Sequence, residues 1–240
     1  MKLTTLALVV AAVFVLSAAP VDSAPGGHGC GWSNGERSVE RGVIRADVDA
    51  DGRPDRVSVV ARYGAAPGCR LALRVQLATG ISLFHRLVET PHTTGSDLRK
   101  QSWPRLLSLV KVDPRPGLQP VVSIQFGSST VFVGLFAIHG GRLVRLAAPE
   151  SAFGGGVSGV ASAVDCWHGA GSGEVVSSFA QSNINGWAVS RSLLRLVGDG
   201  FRHVTAHASL RVKNLAALPE FHGPGLGIFS SCIVARVRHL

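Results

Sequence analysis

The chain has 240 residues, of which 24 are Lys or Arg and 15 are Asp or Glu, giving a net charge of +9 with 46% hydrophobic residues and four cysteines. A chain of this size buries most of its apolar surface without covalent staples, and a charged fraction of 16% is too small for a disordered tail, so disulfide miniproteins and unfolded chains are excluded. Glu and Lys together number ten, against an abundance of Val, Gly, Ser and Thr, a balance that disfavours helix and predicts an all-β fold.

Residues 1–23 read as a secretory signal peptide. Lys2 supplies the positive start, residues 6–16 form an apolar core too short to span a bilayer, and Val21 and Ser23 stand at minus three and minus one of a cleavage point before Ala24. A segment 24–38 then leads into a single domain over 39–240. No later stretch is long enough for a transmembrane anchor, and Cys30 lacks the neighbours of an acylation site, so a secreted, extracellular product is expected. Export places Cys30, Cys69, Cys166 and Cys232 in an oxidising compartment, where four cysteines without C-x-x-C spacing read as two structural disulfides. Cys30 with Cys69 and Cys166 with Cys232 is the favoured pairing, and Cys30 with Cys232 is the alternative.

The segment Asp47-Val48-Asp49-Ala50-Asp51-Gly52-Arg53-Pro54-Asp55 holds four of the nine aspartates in an otherwise basic chain. Carboxylates at positions 1, 3 and 5 of a tight loop converge, Gly at 6 permits the turn, position 7 offers a carbonyl and position 9 a further carboxylate. Asp47, Asp49, Asp51, Asp55 and the Arg53 carbonyl form a hard-oxygen donor set without His or Cys, which points to one structural Ca2+ rather than zinc or magnesium. Ser58 stands where the closing Glu of an EF-hand would be, and the strand-like residues 57–60 follow, so the loop enters a β-strand instead of a helix. The alternative is a solvated Asx-turn without an ion, in which the carboxylates repel one another.

D-x-D-x-D-G-x-x-D followed by a short apolar strand, over residues 47–60, resembles the FG-GAP or VCBS repeat of integrin-type β-propellers and of many secreted bacterial proteins. The resemblance implies propeller blades. Weaker copies of the pattern strand, glycine loop, strand, strand, strand recur. The first unit, about 39–88, predicts strands at 43–46, 57–60, 71–77 and 82–87. The second, about 106–147, predicts 109–112, 121–124, 131–136 and 142–146 around Asp113-Pro114-Arg115-Pro116-Gly117. The third, about 157–205, predicts 160–165, 174–177, 187–191 and 201–204 around the glycine-rich turn 169–173. Closing strands fall in 208–240. Only the first unit keeps the aspartates, so one calcium site is expected and not three. Three such units are too few for a closed ring, which needs roughly four or more blades, so the expected fold is a small or incomplete β-propeller-like domain, with a β-sandwich or open barrel as the alternative.

Leu71, Leu73, Val75 and Leu77 alternate with Ala72, Arg74 and Gln76, as in a sheet with one wet face, whereas 131–138 is apolar almost throughout, as in a strand covered on both sides. Residues 96–111 have room for a helical turn, which Pro104 keeps short.

Catalytic patterns are weak. His203 and His207 share a strand face without the Glu of a zinc helix; the turn 169–173 lacks a phosphate-binding Lys; no G-x-S-x-G is present; and Glu150, Glu174 and Glu220 have no readable separation as a glycosidase pair. No catalytic residue is assigned. Twenty of the 24 basic residues are Arg, which suits an anionic cell-envelope glycan or phosphate polymer, with an extracellular protein as the other partner class. Aromatic residues, at 6%, are too scarce for a nucleic-acid surface. The expected function is non-catalytic binding by a calcium-stabilised β-repeat protein. The alternative is an extracellular hydrolase in which the calcium is structural.

Overall fold

The structure, a computed structural model, describes residues 30–32, 38–62, 65–66, 68–87, 104–126, 130–149, 153–158, 160–206, 209–222 and 227–237. The signal segment, most of 24–38, His207 and Glu150 lie outside these residues.

The described chain is all-β. Four strands, β1 (Val39–Ala46), β2 (Asp55–Ala61), β3 (Leu71–Gln76) and β4 (Ser82–Arg86), pair consecutively in one antiparallel sheet. A second meander follows with β5 (Arg105–Val110), β6 (Gln119–Phe126), β7 (Thr130–His139) and β8 (Arg142–Leu146). After β9 (Phe153–Ser158), a third meander comprises β10 (Val160–Cys166), β11 (Glu174–Asn183), β12 (Gly186–Val197) and β13 (Gly200–Ala206). Strand β9 bridges the second and third meanders, pairing with the first half of β7 on one side and with β10 on the other. The short β14 (Leu210–Val212) adds to β12, and β15 (Ile233–Arg236) adds to β5, so these strands form one 11-stranded sheet that does not close on itself.

Among the described residues the only helical elements are three-residue 3-10 turns at Leu215–Ala217, Pro219–Phe221 and Ser230–Cys232. The helical turn allowed for 96–111 is not formed in its described part. Residues 105–110 are strand because Leu106 and Leu109 turn to one face and Val110 to the other, and both faces are buried.

The middle meander is the centre of the packing. Alternation along β7 sends Val133, Leu135 and Ala137 into a core shared with Val164, Val175, Leu194, Phe201 and Phe229, while Phe136 points the opposite way toward Val57, Val59, Leu73 and Val75 of the first sheet. Adjacent Val121 and Val122 on β6 divide between the same two cores. The apolar run 131–138 is thus covered on both sides, as its sequence predicts. The first sheet packs on one face of the middle meander and the third meander on the other, a layering consistent with the sandwich alternative.

Both outer layers have polar interactions on their far faces. On the first sheet, Glu40 of β1 receives Arg56 Nε at 3.1 Å and the Ser58 hydroxyl at 3.2 Å, and pairs with Arg74 of β3. On the third, Glu220 is buried and accepts from Ser178 Oγ at 2.7 Å and Arg191 Nη2 at 3.1 Å. Covers lie on these faces. Trp32 stacks on Phe84 with ring centroids 5.8 Å apart, while Leu215 and Leu218 pack on Ala161, Ala180 and Val189.

Two disulfides close the described chain, the first beside the Trp32 cover and the second within the central core. Cys30 bonds Cys69 and Cys166 bonds Cys232, the favoured pairing. The second joins the end of β10 to the segment entering β15, and Lys111 N–H donates to Cys232 O at 2.9 Å beside it.

Candidate metal centre

The loop between β1 and β2, residues 47–54, is shaped by its own side chains. Asp47 accepts the Asp51 amide at 3.1 Å and the Gly52 amide at 3.0 Å, and Asp49 accepts the Asp51 amide at 3.2 Å. These are the local bonds by which Asp stabilises turns. Ala50 and Gly52 take left-handed backbone angles, φ 65° and 85°, which curl the chain so that alternate side chains turn inward. Val48 is the apolar anchor, 2% exposed in the core of the first sheet.

Asp55, the first residue of β2, closes the loop from below. It is 1% exposed; Oδ2 accepts the Val48 amide at 2.8 Å and Oδ1 accepts the Ala78 amide of the β3–β4 turn at 2.9 Å. One carboxylate therefore joins the two hairpins of the sheet.

Carboxylate oxygens of Asp47, Asp49 and Asp55 lie within 4.8 Å of one another. Asp51, the fourth carboxylate of the sequence pattern, is placed differently. Its Oδ1 accepts the Arg53 amide at 2.8 Å and its Oδ2 pairs with the Arg53 guanidinium at 3.2 Å on the loop exterior. Three of the four aspartates converge, and the fourth is held by the arginine whose carbonyl the pattern uses.

The electrostatics of the cluster are unfavourable for three bare anions. Burial first, and then the charges of Asp55, Asp51 and Asp47, push the Asp49 carboxyl above its ordinary value, against the opposing bond from the Asp51 amide. Hard oxygen donors at this spacing, with one carboxylate already fixed by two amides, fit a hard divalent cation. Among the described residues this is the only group of three or more His, Cys, Asp or Glu side chains close enough to share an ion.

The loops leading into β6 and β11 are built on related lines. Residues 111–118 separate β5 from β6 as 47–54 separate β1 from β2, and Gln119 Oε1 accepts the Val112 amide at 2.8 Å, the same seven-residue closure as Val48 to Asp55. Asp113, 2% exposed, accepts from the Arg115 amide and side chain and faces His139 Nε2 at 3.2 Å. Burial raises its carboxyl, but the bonds from Arg115 and His139 outweigh that and hold it below the ordinary value. In the third loop Glu174 pairs with Arg195 at 2.7 Å and with His168 at 3.2 Å.

The three loops also bond to one another in series. The Leu118 amide, just before β6, donates to Val48 O at 3.2 Å; the Gly173 amide, just before β11, donates to Val112 O at 2.9 Å. Val48 and Val112 occupy the same place in their loops, so the link repeats.

The catalytic candidates are not gathered. His203 is exposed on β13, Glu174 and Glu220 are each engaged by their own arginine, and 169–173 is a turn whose Gly171 amide donates to Lys111 O at 2.6 Å. Sequence reasoning passed over Gln119 and Lys111. The available signal was their distance from the strand starts, matching Asp55 and Asp47. No protein-family model, no curated protein and no solved structure matches this chain.

Proposed function

We propose that this is a secreted β-repeat protein of the FG-GAP or VCBS type, in which one calcium ion clamps the β1–β2 loop and the stacked sheets serve as a non-catalytic binding scaffold. The observation that carries the reading is the convergence of Asp47, Asp49 and Asp55 in a chain of net charge +9. Bound calcium would neutralise these carboxylates and fix the angle between the first hairpin and the β3–β4 turn, with Asp47, Asp49 and Asp55 as holders. Asp51 and the Arg53 carbonyl complete the set that the repeat pattern implies. The ion's contribution is charge and rigidity.

Three consecutive four-stranded meanders, with the loop-to-loop bond recurring between them, support degenerate propeller-like blades in an incomplete array. Two disulfides support an oxidising, extracellular location. Among the described residues no helix is long and apolar enough to cross a membrane. Exposed Arg45, Arg86, Arg105, Arg142, Arg202 and Arg211 favour an anionic envelope polymer as partner.

Melting curves in EDTA and in calcium, for the protein and for Asp49→Ala, test the clamp. A calcium-dependent rise that the variant loses supports it, and superimposable curves overturn it. Cosedimentation with anionic cell-wall material that weakens with salt tests the partner class; salt-independent pelleting, or none, counts against it.

A further inference from the structure

The loop between β5 and β6 contains a feature that has no counterpart in the first. Aligning the loops by their seven-residue closures sets Lys111 opposite Asp47, Asp113 opposite Asp49, Arg115 opposite Asp51 and Gly117 opposite Arg53. The Lys111 ammonium bends back over its own loop and donates to Arg115 O and, at 3.0 Å, to Gly117 O. Gly117 O is thus the positional equivalent of the Arg53 carbonyl, the backbone oxygen that the repeat pattern offers to an ion.

The charges of the loops differ accordingly. Asp47, Asp49, Asp51 and Asp55 with Arg53 sum to −3, whereas Lys111, Asp113 and Arg115 sum to +1. An ammonium is a compact, strongly hydrated point charge with three donors, and backbone carbonyls that coordinate a hard cation are also acceptors for it. Lys111 is held in place from outside as well. Its stem runs beside Gly171, where a Cβ would lie 3.7 Å from Cε, and its carbonyl accepts the Gly171 amide.

We propose that the Lys111 ammonium is the resident cation of the β5–β6 loop, so that the chain holds one turn with a metal ion and its sibling with a tethered charge. The role of Lys111 stands on its own contacts; the comparison with a metal rests on the calcium reading above. It follows that chelation loosens the first sheet's loop alone, because the second loop has no ion to lose.

Amide hydrogen exchange reads each loop separately. In the unmodified protein, EDTA is expected to speed exchange at Val48 and Ala78, the donors to Asp55, and to leave Val112 and Asp113, the donors to Gln119, unchanged. Lys111→Met keeps the stem and removes the charge. It should speed exchange at Val112 and Asp113 about tenfold or more, equally in EDTA and calcium, while Val48 stays protected in calcium and reports an intact fold. Lys111→Asp with Arg115→Asp restores D-x-D-x-D, and its Val112 and Asp113 amides should become calcium-dependent.

Unchanged Val112 and Asp113 exchange in Lys111→Met would overturn the proposal, as would a doubly substituted loop indifferent to calcium. If Val48 in the unmodified protein ignores calcium, the clamp reading fails, and the Met variant alone then decides the role of Lys111.

Discussion

The carbonyl oxygen of Val48 accepts the Leu118 amide at 3.2 Å, and the neighbouring Gly117 lies so close that a Cβ on it would stand 2.3 Å from the same oxygen. The aspartate loop of the first sheet is therefore braced by the loop of the second, and only glycine permits the approach. Gly117 also has φ +96°, a conformation costly for any other residue.

Gly117→Ala should consequently destabilise by roughly 2–4 kcal/mol, combining backbone strain with a backbone collision. Gly52→Ala is the control. Its φ of +85° is similarly strained, but nothing lies within 4 Å of the added Cβ, so about 1–2 kcal/mol is expected. Chemical denaturation of both variants checks the order; equal losses would remove the bracing argument.

Asp55 and Asp49 separate structural from ionic roles within one loop. In EDTA, Asp55→Ala leaves the buried Val48 amide and the Ala78 amide without their acceptor, and a loss of about 2–3 kcal/mol is expected. Asp49→Ala in EDTA should cost no more than about 0–1 kcal/mol, because the Asp51 amide it releases keeps its bond to Asp47 and repulsion among like charges is relieved. Midpoints of urea unfolding in EDTA give both values directly.

Acid should weaken the far face of the first sheet through Glu40. The hydrogen bond from Arg56 lowers its carboxyl pKa from the ordinary 4.5, against its burial and with help from Arg74 and Ser58. A folded-state value below the unfolded one contributes stability that is fully present above the unfolded pKa and is lost as pH falls through the folded pKa. Glu40→Gln should thus melt lower than the parent at pH 7, with the gap closing below the ordinary carboxylate range. A gap that persists undiminished at pH 2–3 would assign the effect to packing.

Glu220→Ala should be among the most damaging polar substitutions. The carboxylate is 1% exposed, and its removal takes the counter-charge from the largely buried Arg191 guanidinium, for an expected loss of about 3–5 kcal/mol. Ser178→Ala removes one neutral partner of the same carboxylate and should cost only about 1–2 kcal/mol. Thermal unfolding of the pair measures the contrast.

Replacing Cys166 and Cys232 by Ser opens a closure of sequence separation 66 and should lower stability by about 2–5 kcal/mol. Strand β15 is anchored beside this bridge, so limited proteolysis should release the C-terminal segment first. Cleavage that begins elsewhere would argue against that anchoring.

Strands with strong patterning were legible from residue order alone. Residues 71–76 show their alternation, and 131–138 show the continuous apolar run of a strand packed on both faces. Strand β9 was not foreseen, because Gly154, Gly155 and Gly156 carry no periodicity and count against strand. Strand β5 was placed late, at 109–112, because the pattern before it was obscured by Pro104 and by side chains dividing between two cores. The aspartate loop was evident from spacing, but the outward turn of Asp51 was not, since it depends on the reach of the Arg53 guanidinium. Lys111 was invisible as a loop-filling charge because its contacts are to backbone carbonyls, which leave no trace in side-chain patterns.

The covers on the two outer faces also set what the folded chain presents to its neighbours. Apolar side chains left uncovered on a sheet face form a patch on which chains associate. Here Trp32, pinned through Cys30–Cys69, sits on one end face, and Leu215 with Leu218 seals the other. Loss of either cover would therefore bare Phe84 on one face, or the Ala161, Ala180 and Val189 surface on the other, and with it an apolar patch open to association between chains.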